Sequence, residues 1–237
     1  MTEQTRYSNW RSTHMNRWCQ AIFATTLGGL ALVGGNAFAE QKAIHYAVTV
    51  TNITKGQIFT PVIVATHRQG LRLFTLGKPA SGALEKLAEG GDTAPLASLL
   101  KRRGARDVAT APGVLPPGQS VTLRVRTDER HAWFSVAAML IPSNDAFMAV
   151  NGVRGPEAHR SRRILSPAYD AGTEVNDELC VSIPGPPQVC AGEGHNPNSG
   201  EGYVYIHAGI HGIGDLRPAE YDWRNPVARI TVRRVER

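Results

Sequence analysis

Two histidines and an aspartate fall close together in His207-Ala208-Gly209-Ile210-His211-Gly212-Ile213-Gly214-Asp215, with His195 upstream. Imidazole and carboxylate are both zinc ligands. His207 and His211 have the i, i+4 spacing of the helical His-Glu-x-x-His motif of zinc proteases. Ala208 occupies the place of that motif's Glu, however, and three glycines disfavour a helix. On a strand, residues four apart share a face but stand roughly 13 Å apart along it. Only a turn at Gly209 would fold them together. The chemistry such a set would support is metal-dependent hydrolysis by His207, His211 and Asp215. The simpler expectation is a His-bearing strand that runs into a glycine-rich loop.

A second group is acidic. Asp145 closes Pro142-Ser143-Asn144-Asp145, and Asp170, Glu174, Asp177 and Glu178 follow within Tyr169 to Glu178. Hard oxygen ligands suit calcium, which takes about 6–8 of them at roughly 2.3–2.6 Å. The spacing is not that of an EF-hand loop, because Ala171 and Gly172 sit where further acidic ligands would be needed. On pattern alone, a solvated acidic turn is expected. A third group is basic: Arg154, Arg160, Arg162 and Arg163 around one loop. It could meet an acidic glycan, lipopolysaccharide or phospholipid heads. No Gly-x-Ser-x-Gly elbow and no phosphate-cradling glycine loop occurs in the sequence.

These residues need a frame. Ile44 to Thr51 alternates large apolar with mostly polar residues, the period of a half-buried strand. The same period runs through Val121, Leu123 and Val125, and again through Ala228, Ile230 and Val232, with Arg229, Thr231 and Arg233 on the opposite face. Pro61 to Ala65, Ala132 to Ile141 and Tyr203 to Ala208 are further strand candidates. Between Ser81 and Arg103 the period changes. Ser81 is placed to cap a helix carrying Leu84, Leu87 and Ala88, with Glu85 in reach as its capping partner. After Gly90-Gly91, Thr93 is placed to cap a second helix with Pro95 in its first turn. Strands spread along the chain with one helical insertion predict an antiparallel sandwich rather than a βαβ fold.

The N-terminus reads as an export signal. Arg6, Arg11 and Arg17 precede an apolar run, Ala21 to Gly35, which ends in Asn36-Ala37-Phe38-Ala39. A basic region, a short apolar core and a small-x-small ending are the parts of a secretory signal. The run is shorter than the roughly 20 residues a spanning helix needs, so no transmembrane anchor is expected after cleavage. The expected division is a signal peptide over 1–39 and one β domain over 40–237, starting at Glu40. Cleavage removes three Arg and one Glu, so the formal charge falls from +6 to +4. That excess is too mild to suggest nucleic acid for an exported chain. Cys19 leaves with the signal. Cys180 and Cys190, alone in an oxidising compartment, are expected to be bridged. The stretch between them reads as two short strands around a Pro-Gly-Pro-Pro turn.

Several stretches together resemble the spondin N-terminal domain family. They are Ile58 to His67, Ser143-Asn144-Asp145 after Ile141-Pro142, Tyr169-Asp170-Ala171-Gly172-Thr173-Glu174, and Asn225 to Val232. They occur in the family's order and cover most of residues 43–235. The resemblance implies an all-β, eight-stranded antiparallel sandwich with a calcium ion held by loop carboxylates. Carried over position by position, the ligands are Asp145, Asp170 and Glu174. The family usually has Asp at the last of these, so Glu174 is one methylene longer, and Asp177 is the alternative. In animals the family acts in adhesion and in matrix or glycan binding, and stand-alone versions occur in bacteria. The resemblance implies a non-enzymatic, calcium-binding module, periplasmic or secreted, with an envelope or extracellular partner: a glycan, lipid or protein.

Overall fold

A computed structural model describes residues 43–158, 160–195 and 200–236. The segment 1–39 read from sequence as a signal peptide, with its Ala37–Ala39 ending and Cys19, lies outside the described residues. In chain order the elements are β1 Ile44–Asn52, β2 Ile58–Phe59, β3 Ile63–His67, α1 Gly82–Gly90, α2 Ala94–Arg102, β4 Asp107–Thr110, β5 Ser120–Thr127, β6 Trp133–Ile141, β7 Ala146–Arg154, β8 Ser161–Ser166, β9 Ala168–Asp170, β10 Tyr205–Ile206, α3 Pro218–Tyr221 and β11 Ala228–Val235. Two antiparallel sheets result. One has the order β5-β1-β11-β8. The other runs β10-β9-β7-β6-β3-β4, with β2 added beside β6. The all-β sandwich holds. The described residues form eleven strands rather than eight, because short pieces such as β2 and β10 pair at the margins.

Burial explains which strands alternate. β1, β5 and β11 belong to the four-stranded sheet, which is wet on one side. Tyr46, Val48, Val50, Val125, Ile230 and Val232 face the core between the sheets, while Arg124, Arg126, Arg229 and Arg233 are exposed. The seven-stranded sheet is covered on both faces. Phe134, Val136 and Ala138 meet the four-stranded sheet, whereas Ala137, Phe147 and Ala149 meet Leu84, Leu87, Leu96 and Leu100 of the helices. A strand buried on both faces needs no polar positions, hence the near-continuous apolar run of β6 and β7. The helical insertion is therefore a third layer over the second sheet.

The helices form where their caps predict, with one change. Ser81 Oγ accepts from the Leu84 N–H. Thr93 makes no side-chain cap bond, and Asp92 Oδ1 accepts from the Ala94 N–H at 2.9 Å instead. Glu85 turns away from the cap toward His195, 3.6 Å from its Nε2.

Cys180 and Cys190 are bridged, but the loop between them holds no strands. Pro184, Pro186 and Pro187 have no N–H to give a ladder. The loop closes instead by turns, as from the Val189 and Cys190 N–H groups to the Pro186 carbonyl. Replacing both cysteines with serine is expected to lower stability by about 3 kcal/mol, the chain-entropy value for so short a loop. The urea midpoint at unchanged slope measures it. A loss under ~1 kcal/mol would mean that neighbouring hydrogen bonds already restrain the loop, beyond what the entropy model allows.

Candidate functional site

The acidic residues meet at one end of the seven-stranded sheet. Pairing of β7 with β9 sets Ala146 opposite Asp170, and pairing of β9 with β10 sets Asp170 opposite Tyr205. Asp145, one residue before β7, thus comes beside Asp170. Both are fully buried, and Glu174 is nearly so. Asp145 Oδ2 accepts from the Thr173 N–H at 2.8 Å and from the Glu174 N–H at 3.2 Å. Asp170 Oδ1 accepts from the Gly172 N–H, and its Oδ2 from Asn176 Nδ2, each at 2.7 Å.

Two oxygens of this group have no hydrogen-bond partner: Asp145 Oδ1 and Glu174 Oε1. Among the described residues, no Lys or Arg forms a salt bridge to Asp145, Asp170 or Glu174. The electrostatic consequence is uniform. Burial, and then the Asp170 carboxylate, push Asp145 well above the usual carboxylate range. Burial raises Asp170 as well. Glu174 is pushed up to about 8, by burial first and then by Glu89 and Asp177. Crowded carboxylates without a cation hold protons.

The three expected ligands are not gathered into one set: among the described residues, ligand oxygens of Asp145, Asp170 and Glu174 do not all come within 4.8 Å of one another. Asp145 and Asp170 face each other, while Glu174 has its N–H on Asp145 and has Glu89 and Asp177 as its charged neighbours. Asp177, the alternative ligand, is otherwise engaged: its Oδ1 accepts from Asn144 Nδ2 and from the Leu179 N–H.

The histidine set is not gathered into one centre. His207 Nδ1 accepts from the Gly209 N–H at 2.9 Å, so Nε2 carries the proton and donates to Asn176 Oδ1 at 3.1 Å. Burial lowers His207 to about 4. The ring backs the acidic group, 3.6 Å from Asp170 Oδ2. Asp215 serves elsewhere, accepting from the Cys180 N–H at 2.8 Å.

The sequence reading missed what holds the glycine-rich loop. Glu178 Oε1 accepts from the His211 N–H at 2.6 Å. Its Oε2 accepts from Gly212 and Ile213 at 2.7 and 3.1 Å. Glu178 is buried and has a left-handed backbone, φ 57°. Gly214 lies so close that an added Cβ would come within 2.4 Å of the Asp177 carbonyl oxygen. The loop is thus a ring of N–H donors around a carboxylate, and it walls a cavity of about 200 Å³ lined by Asn144, Asp170, Asn176, Tyr205, His207 and His211 among others.

A family model described as Spondin_N matches residues 45–175. The chain belongs to the spondin N-terminal domain family. The matched span of this spondin domain includes Asp145, Asp170 and Glu174 and stops before Glu178, the disulfide and the His207 loop. No curated protein matches the chain. Family membership and the Cys180–Cys190 bridge both point to an extracellular or secreted binding module, since disulfides persist in oxidising compartments. No helix among the described residues is long and apolar enough to cross a membrane.

Proposed function

We propose that this spondin domain is an exported, non-enzymatic binding module that holds a calcium ion on Asp145, Asp170 and Glu174. The observation that carries the reading is the pair of buried, unpartnered oxygens, Asp145 Oδ1 and Glu174 Oε1. A buried polar group left without a partner costs roughly 1–3 kcal/mol, and more once ionised. A hard cation offsets that cost and the mutual repulsion, with backbone carbonyls and water completing the shell. Asp215 bonded to Cys180, and both His207 nitrogens hydrogen-bonded, support the non-enzymatic reading over a hydrolase built on His207, His211 and Asp215.

The proposed partner is an acidic glycan or lipid of the envelope or matrix, met by the open face of the four-stranded sheet. Register places Arg124 beside Ala47, Arg233 and Ser161, and Thr122 beside Thr49, Thr231 and Arg163. With Arg126 and Arg229, this gives an arginine-studded face with no Asp or Glu at its outward strand positions. Arg162 and Arg163, read from sequence as loop residues, belong to β8.

Melting in excess calcium and in excess chelator tests the ion. Wild type is expected to gain about 2.7 kcal/mol at 100 times the dissociation constant. Asp170→Asn should abolish most of that difference, because it removes charge with little change in shape. Asp177→Asn should keep the response. Identical melting of wild type in calcium and chelator would overturn the reading.

A further inference from the structure

α1 carries Glu85 and Glu89 one turn apart, so both carboxylates lie on the same helix face. His195 reaches that face from the loop that follows the disulfide. The loop approaches the helix end closely at Gly90, where a Cβ would come within 2.3 Å of the Gly194 carbonyl oxygen. One ligand atom from each of Glu85, Glu89 and His195 lies within 4.8 Å of the others, and among the described residues no other trio of His, Cys or acidic side chains is gathered this way.

We propose that Glu85, Glu89 and His195 form a site for a divalent transition metal of the zinc class, separate from the calcium ligands Asp145 and Asp170. The donor set decides the class. Imidazole suits zinc and its neighbours, whereas calcium takes oxygen alone. His195 Nε2 and Glu85 Oε1 are 3.6 Å apart, near the ~3.4 Å edge of a tetrahedral zinc shell with ligands at about 2.1 Å. His195 Nδ1 meets Glu89 Oε2 at 2.5 Å. With Nε2 on the metal, Glu89 would reach it by its other oxygen or after a small shift of the ring. The His195 side chain is 41% exposed, Glu85 29% and Glu89 fully covered. The site therefore opens on one side, leaving a position for water.

The test is a zinc titration of the untagged full chain in saturating calcium, read by calorimetry, with Co²⁺ absorption reporting a nitrogen ligand. One zinc per chain is expected, undisturbed by calcium. Removing even an outer-shell partner of a metal ligand costs about 10–100-fold in affinity, so His195→Ala and Glu85→Gln should each weaken binding at least that much. Both residues are partly exposed, and unchanged near-ultraviolet circular dichroism confirms the fold. Calcium binding should survive in both variants, and zinc binding should survive Asp170→Asn. The proposal is overturned if no zinc binds, which leaves an ordinary Glu89–His195 ion pair. It is also overturned if zinc affinity is unchanged in both variants, or is lost only in His211→Ala.

Discussion

Glu178→Ala is expected to lower stability by about 3 kcal/mol, a large loss for one substitution. Three backbone donors, from His211, Gly212 and Ile213, converge on this carboxylate. Hydrogen bonds to charged groups contribute about 1.5–3 kcal/mol each. The full sum is not expected, because the loop is exposed and water will take over some of the donors. Glu178→Gln keeps the shape and one acceptor oxygen, and should lose about half as much. Denaturant midpoints measure both. The loop should also lose its hydrogen-exchange protection at residues 211–213 in the alanine variant. If Glu178→Ala unfolds like wild type, the donors are not what orders the loop.

Calcium affinity is expected to rise about 15-fold between pH 6.5 and 8. Glu174 stands at about 8 in the folded protein, against an ordinary value of 4.5. Between those values the unliganded folded state keeps a proton that the unfolded chain releases. Stability of the unliganded protein from this group therefore falls as pH rises from about 4.5 to 8. An incoming cation must displace that proton below pH 8, which costs tenfold in affinity per pH unit. Asp145 and Asp170 are shifted the same way and would steepen the effect. His207, held near 4 by burial, stays neutral throughout this window and adds nothing to it. Glu174→Gln should flatten the dependence. Calcium affinity constant from pH 6.5 to 8 in wild type would show that Glu174 does not give up a proton to the ion.

The strands legible by alternation were those with one wet face, while β3 and β6, buried on both faces, showed only as continuous apolar runs. β1, β5 and β11 alternate because Arg and Thr project from the open side of the four-stranded sheet. β7 left no such trace: Ala146 to Val150 is buried on both faces, and Gly152 breaks any period. The caps of α1 were readable. That α1 forms a third layer was not, because Leu84 and Leu87 show only that one helix face is apolar, not what covers it. Nothing local marks Glu89, a charged residue on α1, as buried, which it is. Asp145 and Asp170 stood out through the family resemblance, whereas spacing alone suggested a solvated turn. The work of Glu178 could not be read locally, since its partners lie 33 to 35 residues further on.

The calcium reading rests on two buried oxygens, Asp145 Oδ1 and Glu174 Oε1, that have no donor partner among the described residues. A crystal of the protein grown in calcium and measured for anomalous scattering tests them directly. The expected result is one anomalous peak in contact with both oxygens and with Asp170, lost in crystals grown with chelator. A map with no peak at millimolar calcium, or with its peak away from Asp145 and Glu174, would contradict the account.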